Sequence, residues 1–175
     1  NNPVIVAGST WPADEQVLVK AWGGLNKYPL KMIIAPHEIT EKHIQELKNL
    51  FPDAICFSAA ANVQLTDKKI LIIDNIGMLS RLYRYGWITY VGGGMVKNGV
   101  HNVLEAAVYD KVVLFGPHYK KYTEAVGLVQ SGGAISFSDD TNEGQALRLI
   151  IENLYKDESE YRIRSQAAGT FVRSH

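Results

Sequence analysis

Residues 90–118, YVGGGMVKNGVHNVLEAAVYDKVVLFGPH, collect the side chains best suited to hold a ligand. Glu105 offers a carboxylate, His101 an imidazole and Asn102 a capping amide. Gly92, Gly93 and Gly94 offer a backbone that can bend sharply and come close to a ligand, having no side chain to keep it away. Asn102 suits the N-cap of a helix whose free N–H groups point back at the glycine loop. Helix N-termini attract anions, and phosphate is the natural guess. Glu105 follows Asn102 by three residues, the spacing of a capping box with Asn in place of Ser or Thr. On that reading its carboxylate only satisfies backbone donors. At roughly 100° per residue, however, Val103, Leu104, Ala106 and Ala107 fall on one side and Glu105 falls away from them. A carboxylate so placed is free to face a cleft and suits the hydroxyls of a ribose.

These residues need a scaffold, and the rest of the chain supplies its elements. Ile88–Val91 and Val112–Phe115 are short β-rich apolar runs, as expected of parallel strands buried on both faces. Similar runs predict strands at 4–7, 31–35, 54–57, 70–73 and 134–137. Pro12 in a first turn, with Asp14 and Glu15 at its positive end, predicts a helix ending near Gly23-Gly24. Thr40 predicts a cap for a helix carrying Ile44, Leu47, Leu50 and Phe51 on one face. Further helices are expected at 78–85, at 121–130, from Asp140 and Glu143 through Tyr155, and at 159–172 with Tyr161, Ile163 and Ala167 on its inner face. Strands alternating with helices, without hairpins, mean a parallel sheet covered by helices on both faces, a Rossmann-like α/β fold. Ligands in such sheets bind at the carboxyl ends of the strands. The turns there are Gly8-Ser9-Thr10, Pro36-His37-Glu38, residues 74–77, the glycine loop and Gly116-Pro117-His118. No GxGxxG follows the first strand, which weakens a dinucleotide-binding reading.

Composition narrows the classes further. At 175 residues the chain is one domain, with enough length for a sizeable core. Lys plus Arg equals Asp plus Glu at 18 each, and no stretch gathers the basic residues of a nucleic-acid groove. The one cysteine, Cys56, lies in the run Ala54-Ile55-Cys56-Phe57, where a buried, inert thiol is expected. Histidines and acids lack ligand spacing, so no metal is predicted, and no cofactor. No apolar run reaches the length of a membrane span, and no signal peptide precedes the first strand. The abrupt start at Asn1-Asn2-Pro3 reads as a cut between domains. Tyr119, beside a turn, is expected to cover a core edge.

Taken in order, the turns form a known pattern. The chain resembles the C-terminal, donor-binding half of the 3-deoxy-D-manno-octulosonic acid (Kdo) transferases of lipopolysaccharide synthesis, which are glycosyltransferases of the two-domain GT-B fold. The residues that carry the resemblance are Gly8-Ser9-Thr10, Ala35-Pro36-His37, Asp74-Asn75-Ile76-Gly77-Met78-Leu79, Val91-Gly92-Gly93-Gly94, His101-Asn102-Val103-Leu104-Glu105 and Gly116-Pro117-His118. They stand in the family's order and cover nearly the whole chain. Pro36, Asn75 and Met78 depart from it, replacing an arginine, a threonine and a glutamate. Losing the arginine removes a partner for the donor's negative charge. Lys97, Lys120 or Lys121 substitutes, or backbone N–H groups carry more of the task, or the donor differs.

The resemblance implies a substrate-binding set of His37, Ile76, Gly77, Gly92, Gly93, Gly94, His101, Asn102 and Glu105. In it Glu105 takes the ribose hydroxyls, Asn102 and its helix take the phosphate, and Ile76 and Gly77 flank the base. His37 lies near phosphate and sugar, and His101 either orients the sugar or bonds a nearby carbonyl. The implied donor is CMP-Kdo and the implied acceptor a lipid A precursor. The catalytic base and lipid-facing surface would belong to an N-terminal half. Residues 1–175 would then be the donor-binding domain of a longer chain working at the cytoplasmic side of the bacterial inner membrane. Alone it is expected to be soluble and to hold the donor without transferring it. Two alternatives stand beside this: half of another GT-B enzyme, such as a UDP-sugar transferase or epimerase, and a binding or regulatory module without chemistry.

Overall fold

The computed structural model of the protein describes residues 2–62, 64, 67–141 and 144–175. Its strands are β1 (Val4–Thr10), β2 (Lys31–Pro36), β3 (Ile55–Cys56), β4 (Ile70–Ile72), β5 (Ile88–Val91), β6 (Val112–Phe115) and β7 (Ala134–Ser136). The helices are α1 (Pro12–Leu25), α2 (Glu41–Leu50), α3 (Leu79–Leu82), α4 (Leu104–Ala107), α5 (Thr123–Gln130), α6 (Gln145–Lys156) and α7 (Glu158–Arg173). The strands form one parallel sheet in the order β3-β4-β2-β1-β5-β6-β7. From β1 the chain builds outward to one edge, then returns to lay β5 on the other side of β1. The carboxyl ends of β1 and β5 therefore flank the reversal of strand order, where open α/β sheets hold their ligands.

Both faces of the sheet are covered, as the apolar runs require. Ile5, Ala7, Ile88, Tyr90, Val112 and Leu114 point into one core with Val17, Leu18, Leu147 and Ile151 of α1 and α6. The alternate residues Val6, Val91, Val113 and Phe115 point into a second core with Ala106, Leu128 and Ala168 of α4, α5 and α7. Each fully buried Ile, Leu, Val or Phe stabilises the fold by about 1.5–3 kcal/mol.

Several boundaries differ from expectation for local reasons. β1 continues through Gly8-Ser9-Thr10, so the expected turn is a bulge at Ser9, where the register with β2 slips. β3 keeps only two residues, because a 3-10 turn begins at Phe57. Cys56 is consequently half-buried rather than buried, its thiol pKa raised first by burial and then by the nearby Asp74 carboxylate. α6 starts at Gln145 after a left-handed Gly144, while the expected opening at Glu143 lies outside the described residues. In α7, Ile163 is 61% exposed. Two residues turn a helix by roughly 200°, which carries Ile163 away from Tyr161 and leaves Ser165, Ala168 and Gly169 as the buried stripe.

Candidate functional site

The glycine loop has a different reason for its composition from the one its sequence suggests. Gly92, Gly93 and Gly94 are buried, and each meets another backbone segment. A Cβ on Gly92 would overlap the Ser9 carbonyl, one on Gly93 the Gly99 carbonyl, and one on Gly94 would stand 2.7 Å from Gly116 N. The N–H of Gly92 already donates to Gly8 O at 2.8 Å, and that of Gly93 to Asp14 Oδ2 at 3.0 Å. These two N–H groups are engaged within the protein, and the three glycines let backbone segments interlock. Gly92→Ala is expected to destabilise the fold by about 1–3 kcal/mol, since backbone must move to admit the methyl. Gly23→Ala, at an exposed helical position with open space around its Cα, should gain about 0.5–1 kcal/mol. Urea midpoints of the two variants check the contrast, and equal midpoints would refute it.

Asp14 fastens this loop to α1. It is fully buried and accepts from Tyr90 Oη at 2.5 Å, Gly93 N at 3.0 Å and Trp11 N at 2.9 Å. Burial nevertheless outweighs these bonds and raises its pKa, as it does for the neighbouring Glu15. Glu15 accepts from Thr10 Oγ1 at 2.9 Å and lies 2.8 Å from His43 Nε2 on α2. Both acids sit in the first turn, as expected for a helix dipole, yet both are also structural bridges from α1 to its neighbours.

Ser9, at φ 52°, is a non-glycine residue in the left-handed region, an outlier of the kind that gathers at functional sites. It lines a cleft of about 290 Å³ with His37, Ile76 and Gly77. Pro36, Asn75 and Met78 line the same cleft. Ile76 is 89% exposed, an open apolar surface. Gly77 has φ +93° and open space around it, so its backbone conformation rather than crowding calls for glycine. A roomier groove between α1 and α2, lined by Trp22, Phe51 and Lys69, opens at the amino end of β4 and carries none of these groups.

His37 joins the cleft to the reversal point. Its ring stacks at 4.5 Å on both Trp11 and His101. Trp11 and His101 are themselves nearly parallel, at 8°, with Trp11 Nε1–H donating to His101 Nε2 at 2.7 Å. The partner of His101 is thus an indole and not the carbonyl that sequence reasoning allowed. Burial first, and His37 second, lower the pKa of His101.

Asn102 and Glu105 depart from a capping box. α4 is a single turn with Val103 as its N-cap, and Asn102 Oδ1 accepts from Leu104 N at 3.0 Å. Glu105 Oε1 accepts from Asn102 Nδ2 at 3.3 Å and not from the Asn102 backbone. The carboxylate is exposed, with Val103, Ala106 and Ala107 buried behind it, as the helical phase predicts. It lies close enough to buried Tyr83 to raise that residue's pKa, after burial itself, and Tyr83 packs under Gly8. One turn of helix carries only a small dipole, so any anion here relies on individual N–H groups.

Among the basic residues suggested as substitutes for the missing arginine, Lys121 donates to Lys97 O at 3.4 Å and lies over the Tyr122 ring. Tyr119 packs on Phe115 at 5.3 Å, a core-edge role. Among the described residues, no three His, Cys, Asp or Glu stand together as metal ligands, and no helix is long and apolar enough to cross a membrane. Sequence reasoning missed Trp11. Its position straight after Gly8-Ser9-Thr10, at a strand's carboxyl end, was the available signal.

No protein-family model matches the chain. The 3-deoxy-D-manno-octulosonic acid transferase of Rickettsia bellii (strain RML369-C) is 31% identical over 162 residues, 88% of this chain and 37% of that protein. The transferase of the same name from Rickettsia typhi is 27% identical over 158 residues, 86% of this chain and 33% of that protein. The chain is a relative of the Kdo transferases. This Kdo-transferase relative spans roughly a third of the length of the curated proteins it matches, 37% and 33%. Its fold is that of the C-terminal domain of a GT-B glycosyltransferase. The crystallised C-terminal CMP-Kdo binding domain of WaaA from Acinetobacter baumannii superposes with a TM-score of 0.81 at 17% identity, covering 99% of this chain and 90% of that one.

Proposed function

We propose that this chain is the donor-binding half of an inverting Kdo transferase, holding CMP-Kdo at the carboxyl edge of the sheet while Kdo passes to a lipid A precursor. The observation that carries the reading is the meeting of His37, His101, Asn102 and Glu105 beside the strand reversal, in a chain whose sequence relatives bear the Kdo transferase name. Ile76 and Gly77 flank the cytosine, one through its exposed apolar face and the other through its backbone. Glu105 accepts from the ribose hydroxyls. Asn102 and the first turn of α4 take the phosphate, with His37 near phosphate and sugar and His101 orienting the sugar. Gly92, Gly93 and Gly94 form the floor.

The chemistry these residues serve is departure of the nucleotide. As the bond from Kdo to phosphate breaks, negative charge grows on CMP, and fixed polar groups aimed at that charge lower the barrier. The base that deprotonates the acceptor hydroxyl, and the lipid-facing surface, we assign to an N-terminal half that completes the protein at the cytoplasmic side of the inner membrane. A second reading, half of a UDP-sugar transferase or epimerase, draws on Pro36, Asn75 and Met78, since all three departures line the cleft.

Nucleotide titrations followed by amide NMR separate the readings. CMP is expected to shift the signals of Ile76, Gly77, Gly92, Gly93, Gly94, Asn102 and Glu105, and UMP to shift them less. Larger shifts with UMP or UDP would favour the second reading. Shifts confined to the amino ends of the strands, or none at millimolar nucleotide, would reject the site.

A further inference from the structure

The hydrogen bond between Trp11 and His101 fixes more than a position. An indole N–H can only donate, so the atom that receives it, His101 Nε2, must present a lone pair. A neutral imidazole with a lone pair on Nε2 carries its proton on Nδ1. The other tautomer would set one N–H against another at 2.7 Å, and so would the imidazolium. The ring's orientation is fixed on a second side. Its Cδ2 edge lies against the glycine loop, 2.9 Å from where a Cβ on Gly93 would stand. Nδ1 belongs to the opposite edge, which therefore faces away from the loop. His37 covers one face of the ring, at 4.5 Å, and acts on His101 through charge, lowering its pKa after burial itself. Among the described residues no acceptor engages Nδ1.

We propose that Trp11 is a positioning residue, holding His101 as the neutral Nδ1–H tautomer so that it offers a fixed N–H donor to an anionic oxygen of the bound ligand. The inference rests on the reading of this edge as a nucleotide-sugar site. Two kinds of negatively charged oxygen could receive that N–H, the phosphate of the nucleotide and a carboxylate of the sugar. CMP alone carries the first without the second.

The tautomer is measurable in the ligand-free protein by ¹⁵N-detected imidazole NMR. His101 is expected to show a protonated Nδ1 and an unprotonated Nε2 at neutral pH. In Trp11→Phe, which keeps an aromatic ring to stack on His37 but deletes the indole N–H, His101 should exchange between tautomers and titrate at higher pH. An Nε2–H signal in the parent protein overturns the proposal without any variant, as does an unchanged His101 titration in a folded Trp11→Phe. CMP affinity should fall about three- to tenfold in Trp11→Phe, the loss of one oriented neutral hydrogen bond, if phosphate is the acceptor. If CMP affinity is unchanged while CMP-Kdo affinity falls by that factor, the sugar carboxylate is the acceptor. Unchanged affinity for both overturns the ligand role. Failure of the parent to bind either nucleotide would instead refute the donor-site reading, while the ligand-free tautomer still decides what Trp11 does to His101.

Discussion

Asp14→Ala is expected to lower the stability of the fold by about 3–5 kcal/mol, a large part of the roughly 5–15 kcal/mol that holds a domain together. The truncation leaves Tyr90 Oη and Gly93 N without their acceptor in a site closed to water. Each stranded donor costs about 1–3 kcal/mol. Asp14→Asn should be much milder. Its amide oxygen can accept from the Gly93 and Trp11 N–H groups while its amide nitrogen donates to Tyr90 Oη.

The Asn variant also isolates a titration. Burial raises the Asp14 pKa above 3.8, so between 3.8 and the folded value the native state binds more protons than the unfolded chain. Unfolding free energy then falls as pH rises across that window. The proton-linked stability is fully present below 3.8 and is lost as pH passes up through the folded value. Glu15 acts in the same sense from 4.5. Urea midpoints measured upward from 3.8 should decline less in Asp14→Asn than in the parent. Identical slopes would remove Asp14 from this account, and an Asp14→Ala loss below about 1 kcal/mol would remove the bridge itself.

Glu105→Gln is expected to weaken CMP binding about 10- to 100-fold with little change in stability. A hydrogen bond to a charged group contributes about 1.5–3 kcal/mol, and each 1.4 kcal/mol is about a factor of ten in affinity. Stability should hold because Glu105 is exposed and its hydrogen bond from Asn102 Nδ2, at 3.3 Å, is long and lies at the surface. Calorimetric titration with CMP, paired with a urea curve, reads both quantities. Equal affinity in variant and parent would return Glu105 to a purely local role beside Asn102. Weaker binding accompanied by an equal loss of stability would mean that the loop, and not the carboxylate, had been disturbed.

Much of this protein is determined locally, and local determinants are legible in order along the chain. Short apolar runs rich in β-formers, such as Ile88–Val91 and Val112–Phe115, read as strands buried on both faces, and the structure buries every residue of both. Thr40 caps α2 by accepting from His43 N, a bond that depends on residues three apart. The outward phase of Glu105 follows from helical geometry alone. The likeness to Kdo transferases was also legible, because motif order survives in the sequence whatever the contacts are.

What the tertiary structure decided is everything that depends on strand order. Laying β5 beside β1 brings Trp11 within bonding distance of His101, 90 residues away, and Asp14 within reach of Gly93, 79 away. No periodicity records such pairs, since period and propensity report on neighbours within a few residues. The same limit explains the glycines. Gly92, Gly93 and Gly94 look like a cradle for a ligand, yet Ser9, Gly99 and Gly116 are what they approach. A glycine reports that something must come close to the backbone, and only the packed chain says what.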